Sequence, residues 1–168
     1  FYNIAMKKYI ILLLMCIALL CSCSKNVKEN PIVTMEIKNY GIIKMELFPD
    51  IAPNTVANFV NLTEEGFYDN NTFHRLVQGF VLQGGDPSAT GTGGPGYTIK
   101  GEFTLNGFQN NLSHTKAVVS MARRKDVNSA GSQFFIMHSD NYTQTLDNNY
   151  AAFGKVIEGM DVIEKIEN

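Results

Sequence analysis

Short apolar runs punctuated by turn residues fill the chain after Pro31, and no helices alternate with them as the crossovers of a parallel sheet require. That pattern limits the fold to an antiparallel barrel or sandwich. Ile32–Ile37 and Ile42–Leu47 are β-rich and joined by the turn-compatible Asn39, Tyr40 and Gly41, so the domain opens with an antiparallel pair. Pro49 and Pro53 then break the strand. Asn54 or Thr55 is placed to cap a helix on which Val56, Phe59 and Val60 fall at helical spacing, and Gly66 is placed to end it. Further strands are predicted at Tyr97–Ile99, Ala117–Met121, Phe134–Met137 and Ala152–Ile157, and Val162, Ile163 and Ile166 mark a final amphipathic helix.

The stretch Phe73–Pro87 carries the chemistry. Two apolar runs flank Gln78 and Gly79, a hairpin pattern, and strand side chains alternate faces, so Arg75 projects beside Phe73 and Val77 while Val81 shares a face with Gln83. A permanent cation, an amide and an apolar floor are thereby offered together, which suits gripping a peptide rather than attacking it. In Gly131–Ile136 the pairing recurs: Gln133 and Phe135 share one strand face. The segment from Leu146 to Gly154 reads as a polar turn leading into a strand.

Other chemistries find little support. The loop Gly91–Gly96 lacks the P-loop lysine followed by Ser or Thr and the dinucleotide spacing, so it reads as a tight, backbone-exposed loop. His74, His114 and His138 show no metal-ligand spacing. Glu64 and Glu65 are adjacent on a helix and cannot converge on one atom, and Ser113 with His114, or Ser139 with His138, lack a nucleophile-elbow pattern. A net charge of -2 opposes nucleic acid as the main partner. With 168 residues, 45% of them hydrophobic, the chain suffices for one domain with a real core.

The N-terminus has its own signature. Met6-Lys7-Lys8-Tyr9 precedes an apolar run from Ile10 to Cys21, too short to span a bilayer comfortably but right for the middle of a secretory signal. It ends in Leu20-Cys21-Ser22-Cys23, which resembles the bacterial lipoprotein box. Residues 1–22 are therefore expected to be upstream residues and signal peptide, with Cys23 lipidated. Residues 23–30 form a lipid-anchored polar tether, and the domain occupies residues 31–168. All three cysteines lie in the leader, so no disulfide or zinc-thiolate site is expected beyond it. Losing Lys7 and Lys8 takes the net charge from -2 to -4.

In order, Phe73-His74-Arg75, Gly79-Phe80, Gln83-Gly84-Gly85-Asp86, Gly91-Thr92-Gly93-Gly94, Ser120-Met121-Ala122-Arg123, Asn128 through Ile136, and Phe153-Gly154-Lys155-Val156 resemble a cyclophilin of the bacterial type over about Ile32 to Ile166. The resemblance implies an eight-stranded antiparallel barrel capped by two helices, peptidyl-prolyl cis-trans isomerase activity and no cofactor. It also implies a closing C-terminal strand beyond the second helix, and since the sequence stops at Asn168 the domain is expected to be C-terminally truncated. By the same resemblance Arg75 is the catalytic arginine. Phe80, Val81 and Gln83 form the hairpin part of the pocket, Gly91 the glycine-loop contact, and Ala122, Arg123 and Arg124 the segment lining the peptide groove. Gln133 and Phe135 supply the glutamine and the aromatic floor of the proline pocket, and Leu146 and Tyr150 close it. Thr145 stands where drug-sensitive members carry tryptophan, which implies weak cyclosporin binding. The expected partners are proline-containing peptides and unfolded exported proteins, acted on by a monomer anchored in the bacterial cell envelope, periplasmic or cell-surface. The competing expectation is a peptide-binding module that keeps the barrel without useful catalysis.

Overall fold

The computed structural model describes residues 29–167. The expected leader, Cys23 and most of the tether lie outside them. Seven strands form one antiparallel sheet: β1 (Ile32–Ile37), β2 (Gly41–Leu47), β3 (Arg75–Val77), β4 (Val81–Gly84), β5 (Val118–Met121), β6 (Phe134–Met137) and β7 (Ala152–Glu158). Their order across the sheet is β1-β2-β7-β5-β6-β4-β3, which leaves β1 and β3 at the two edges. Three helices accompany them, α1 (Pro53–Glu64), α2 (Thr143–Leu146) and α3 (Met160–Glu167), with a 3-10 turn at Thr104–Asn106. The mainly β, antiparallel architecture agrees with the sequence. Among the described residues the strands number seven where eight were expected, and the sheet curls as a half-barrel.

The period of two along each strand sorts side chains between two environments. On β6, Phe134 and Ile136 enter the main core while Phe135 and Met137 enter a second cluster on the opposite face. On β4, Leu82 goes to the first and Val81 to the second; on β5, Val119 and Met121 go to the first and Val118 to the second. The main core gathers residues from strands as far apart as β2 (Ile43, Met45, Leu47) and β4, so the sheet wraps around it. Helix α1 closes this core by placing Phe59 edge-on against Phe134, with ring centroids 5.2 Å apart, and against Phe153 at 5.1 Å. Val162 and Ile163 of α3 join the same cluster.

Three local departures have physical causes. Helix α1 begins at Pro53 after Ala52, with no side-chain cap of its own. The buried Glu102 carboxyl group accepts hydrogen bonds from the Asn54 and Thr55 amides at 3.0 and 2.8 Å, capping the helix from a distant loop. At the other end the expectation for Gly66 holds: at φ +71° it lets Phe67 donate to the Leu62 carbonyl and Gly66 itself to Thr63, a Schellman end. Tyr97–Ile99 is not a strand; only Ile99 bridges to Ala130, and the Tyr97 hydroxyl donates to Asn58 on α1 instead. Ala117 sits at φ +75°, a conformation no strand uses, so β5 starts one residue later than predicted.

Candidate active site

The register of β3, β4, β6 and β5 builds the site. Arg75 pairs with Gln83, Gln83 with Phe135, and Phe135 with Ser120, so four side chains line up in one row across four strands. Directly opposed residues share a face, and this face is the one away from the main core. Arg75 lies on edge strand β3 and is exposed, whereas Phe135, two strands further in on β6, is only 5% exposed. The row therefore runs from a solvent-facing cation to a buried ring.

A directional hydrogen-bond relay crosses it. The Arg75 guanidinium donates through Nη1 to Gln83 Oε1 at 3.2 Å. Gln83 Nε2 donates to Gln133 Oε1 at 3.0 Å, and Gln133 Nε2 donates to the Gly93 carbonyl at 2.9 Å. A guanidinium can only donate and a carbonyl can only accept, so both amides between them are fixed in orientation from both ends. Beside the relay lies a cavity of about 420 Å³ lined by Gln83, Gly91–Thr98, Ala122–Arg124, Ser129 and Gly131–Gln133. Arg124 closes one side of it by donating to the Thr92 carbonyl at 2.9 Å.

The apolar part is the second cluster: Val81, Val118, Phe135, Met137, Leu146 and Ala152, with Phe80, Leu112, Ala122 and Tyr150 packed on it. Tyr150 stands edge-on to Phe135 at 5.8 Å, and the Arg123 guanidinium lies 4.8 Å from the Tyr150 ring while its Nε donates to the Asn149 carbonyl. On the hairpin, Phe80 packs against Tyr142 with ring centroids 4.2 Å apart and planes tilted by 42°, and receives the Arg75 guanidinium 5.9 Å from its ring. The hairpin turn that holds Phe80 is tied down from α3, where Glu167 accepts from the Gly79 amide; that bond holds the Glu167 carboxyl below its ordinary range.

Behind Phe135 runs a buried polar chain that sequence reasoning missed. His114 stacks against Phe135 at 6.1 Å, its Nδ1 is 2.8 Å from Asp147 Oδ1 and its Nε2 is 2.9 Å from Ser120 Oγ. Burial lowers the His114 pKa against the opposing pull of Asp147, so the ring is held neutral. An ionised Asp147 accepts only, which places the proton on Nδ1 and makes Nε2 the acceptor of the Ser120 hydroxyl. Burial acts to raise the Asp147 pKa, but hydrogen bonds from the His114 amide, Ser113 and the His114 ring lower it. The three groups have serine-hydrolase order, yet Ser120 is fully buried and no substrate reaches it, so they brace the pocket wall.

The pocket residues read from the sequence are all among the described residues, whereas Cys23 is not. Gln83, Gly91, Ala122, Arg123, Arg124 and Gln133 surround the cavity; Val81, Phe135, Leu146 and Tyr150 form the apolar cluster; Arg75 joins the two through Gln83 and Phe80. Thr145 is exposed on α2, a single helical turn that precedes the polar turn read from Leu146 and was not expected. Gly91 enters differently than expected, for its amide is occupied by Asp86 at 2.7 Å. Among the described residues no group of three or more His, Cys, Asp or Glu side chains is placed to hold a metal ion.

On one outer face of the half-barrel a guanidinium, two oriented amides and a buried aromatic stand side by side. The sequence profile described as cyclophilin type peptidyl-prolyl cis-trans isomerase/CLD matches residues 32–168. Peptidyl-prolyl cis-trans isomerase B of Bacillus subtilis is 48% identical over 127 residues, covering 75% of this chain and 83% of that protein. The peptidyl-prolyl cis-trans isomerase of Helicobacter pylori is 42% identical over 154 residues, covering 82% and 90%. Among solved structures, a Cryptosporidium parvum cyclophilin type peptidyl-prolyl cis-trans isomerase in the presence of the dipeptide Ala-Pro superposes with a TM-score of 0.69 at 38% identity, over 77% of this chain and 81% of that one. The chain belongs to the cyclophilin-type peptidyl-prolyl cis-trans isomerase family and is an isomerase of that type.

Proposed function

We propose that Arg75 is the catalytic group, that Phe80, Val81, Phe135, Leu146 and Tyr150 hold the prolyl ring, and that the substrates are X-Pro bonds of exported proteins. Rotation about a peptide bond meets a barrier of about 18–20 kcal/mol because the nitrogen lone pair is delocalised. No bond needs to be attacked. Catalysis requires only that the twisted amide, with its lone pair localised on nitrogen, bind better than either planar form. A guanidinium fixed through Gln83 donates to that nitrogen or to the prolyl carbonyl, and the apolar cluster excludes water so that the donation counts. A ten-thousandfold gain requires about 5–6 kcal/mol, within reach of positioned donors in a dry pocket.

The observation that carries this reading is the shared row: Arg75, Gln83 and Phe135 stand opposite one another on β3, β4 and β6. A protease-coupled assay on a proline peptide tests it, with turnover expected in the parent protein and lost in Arg75→Ala. A peptide-binding module without catalysis gives binding of the same peptide and no acceleration. Support for the exported setting comes from the Met6–Cys23 signature and from the confinement of all cysteines to it. On this reading the protein is a monomeric lipoprotein of the cell envelope, at the periplasmic or cell surface, held in the membrane through Cys23. Mass spectrometry of the native protein should find a diacylglyceryl-modified Cys23 as its first residue; an unmodified chain retaining Met6 refutes the anchor.

A further inference from the structure

Asp86 is 1% exposed and forms no ion pair among the described residues. A lone buried carboxylate is costly unless hydrogen bonds replace its water. Here four donors do so: the Ser88 amide and hydroxyl reach Oδ1 at 2.8 and 2.7 Å, and the Gly91 and Gly93 amides reach Oδ2 at 2.7 and 3.1 Å. Burial pushes the carboxyl pKa up, but these bonds outweigh it and hold the group well below the usual carboxylate range. The loop is shaped around the carboxylate: a Cβ on Gly93 would fall 2.1 Å from Asp86 Oδ1, and Gly91 has a φ of +82°. The same Gly93 whose amide is bound by Asp86 offers its carbonyl to Gln133 Nε2.

We infer that Asp86 is a positioning residue: by gripping the Gly91 and Gly93 amides it fixes the Gly93 carbonyl that sets the polarity of the amide relay ending at Arg75. Without that fixed acceptor the Gln133 amide is free to turn its NH2 toward Gln83. Gln83 then has no reason to keep its oxygen toward Arg75, and the guanidinium loses the partner that orients it. The inference rests on the assignment of Arg75 as the donor to the twisting amide.

Two readouts test it on the whole domain. The first is a double-mutant cycle in the proline-peptide assay. Asp86→Ala is expected to lower kcat/KM about tenfold or more, and in a Gln133→Ala background to lower it by less than about twofold further. Asp86→Asn, which keeps the shape and one acceptor oxygen, should fall between parent and Asp86→Ala, and takes its place in the cycle if Asp86→Ala does not fold. The second is the NMR side-chain amide signals of Gln83 and Gln133, which should move together in the Asp86 variant while the backbone amides of β5 and β7 stay in place. Losses that multiply in the cycle, or Gln133 signals that do not move, overturn the role of Asp86. Full turnover in Arg75→Ala overturns instead the catalytic assignment beneath it, and the NMR readout remains valid either way.

Discussion

The two faces of the same sheet are built by opposite rules. The enclosed face is aliphatic and aromatic almost throughout, with Ile43, Met45, Leu47, Leu82, Val119, Ile136 and Phe153 all fully buried. The outer face mixes a comparable buried ring, Phe135, with Arg75, Gln83, Gln133, His114 and Ser120, and each of these polar groups has a hydrogen-bond partner. Because β4, β5 and β6 contribute alternate residues to both, neighbours in sequence answer to different demands. Phe134 is held by packing that any shape-matched apolar residue approximates, whereas Phe135 sits among groups whose hydrogen-bond directions are fixed. Stability and catalysis should therefore separate by residue parity along a strand.

The largest effect should come from the enclosed face. Phe59 touches Tyr68, Phe134 and Phe153, so Phe59→Ala is expected to cost about 3–5 kcal/mol of stability. Urea denaturation reads this directly, and a loss below that range would mean that the aromatic cluster relaxes into the cavity. The mirror experiment on the outer face is Arg75→Ala. Removing one preorganised donor should lower kcat/KM by roughly 10²- to 10³-fold, while an exposed edge-strand residue should change stability by no more than about 0.5 kcal/mol. Equal falls in activity and stability would erase the separation between faces.

What the sequence made legible follows the same division. Strand positions and the alternation that places Gln133 and Phe135 together are local consequences of period two, and five of the seven strands begin or end within one residue of expectation. Resemblance supplied the pocket residues, and Arg75, Gln83 and Phe135 among them fall in one row. The features that escaped are those made by long-range hydrogen bonds. Glu102 capping α1, Asp147 behind His114, and Asp86 inside its loop each join residues whose spacing carries no signal. The single-turn helix α2 escaped because four residues are too few to show a helical period.

Glu102 offers the third test, on a polar group that serves the enclosed face alone. Both its carboxyl oxygens accept from the start of α1, so Glu102→Gln leaves one amide facing an NH2 group. A loss of about 1–3 kcal/mol is expected, measured by urea denaturation, with kcat/KM per folded molecule unchanged. A change in kcat/KM would show that α1 transmits its position to the outer face after all.

The smallest effect is the response to pH, and there the two faces should diverge in kind. Burial lowers the His114 pKa in the folded state, so on acidification below about 6.5 the unfolded chain takes up a proton that the folded chain refuses. Stability then rises with pH across that window and falls as pH is lowered through it. Asp147 is shifted the same way, below its ordinary 3.8, and Asp86 is too; their contributions are present above that value and are lost at more acid pH. Activity follows another rule, since Arg75 stays charged and rotation of an amide needs no proton transfer. The expected result is a kcat/KM that stays flat from about pH 6 to 8 while the urea midpoint declines at the acid end, and His114→Gln should flatten that decline near pH 6.5. A histidine-like slope in kcat/KM itself would break the comparison, because it would mean that His114, through its stack on Phe135, reports its charge to the pocket.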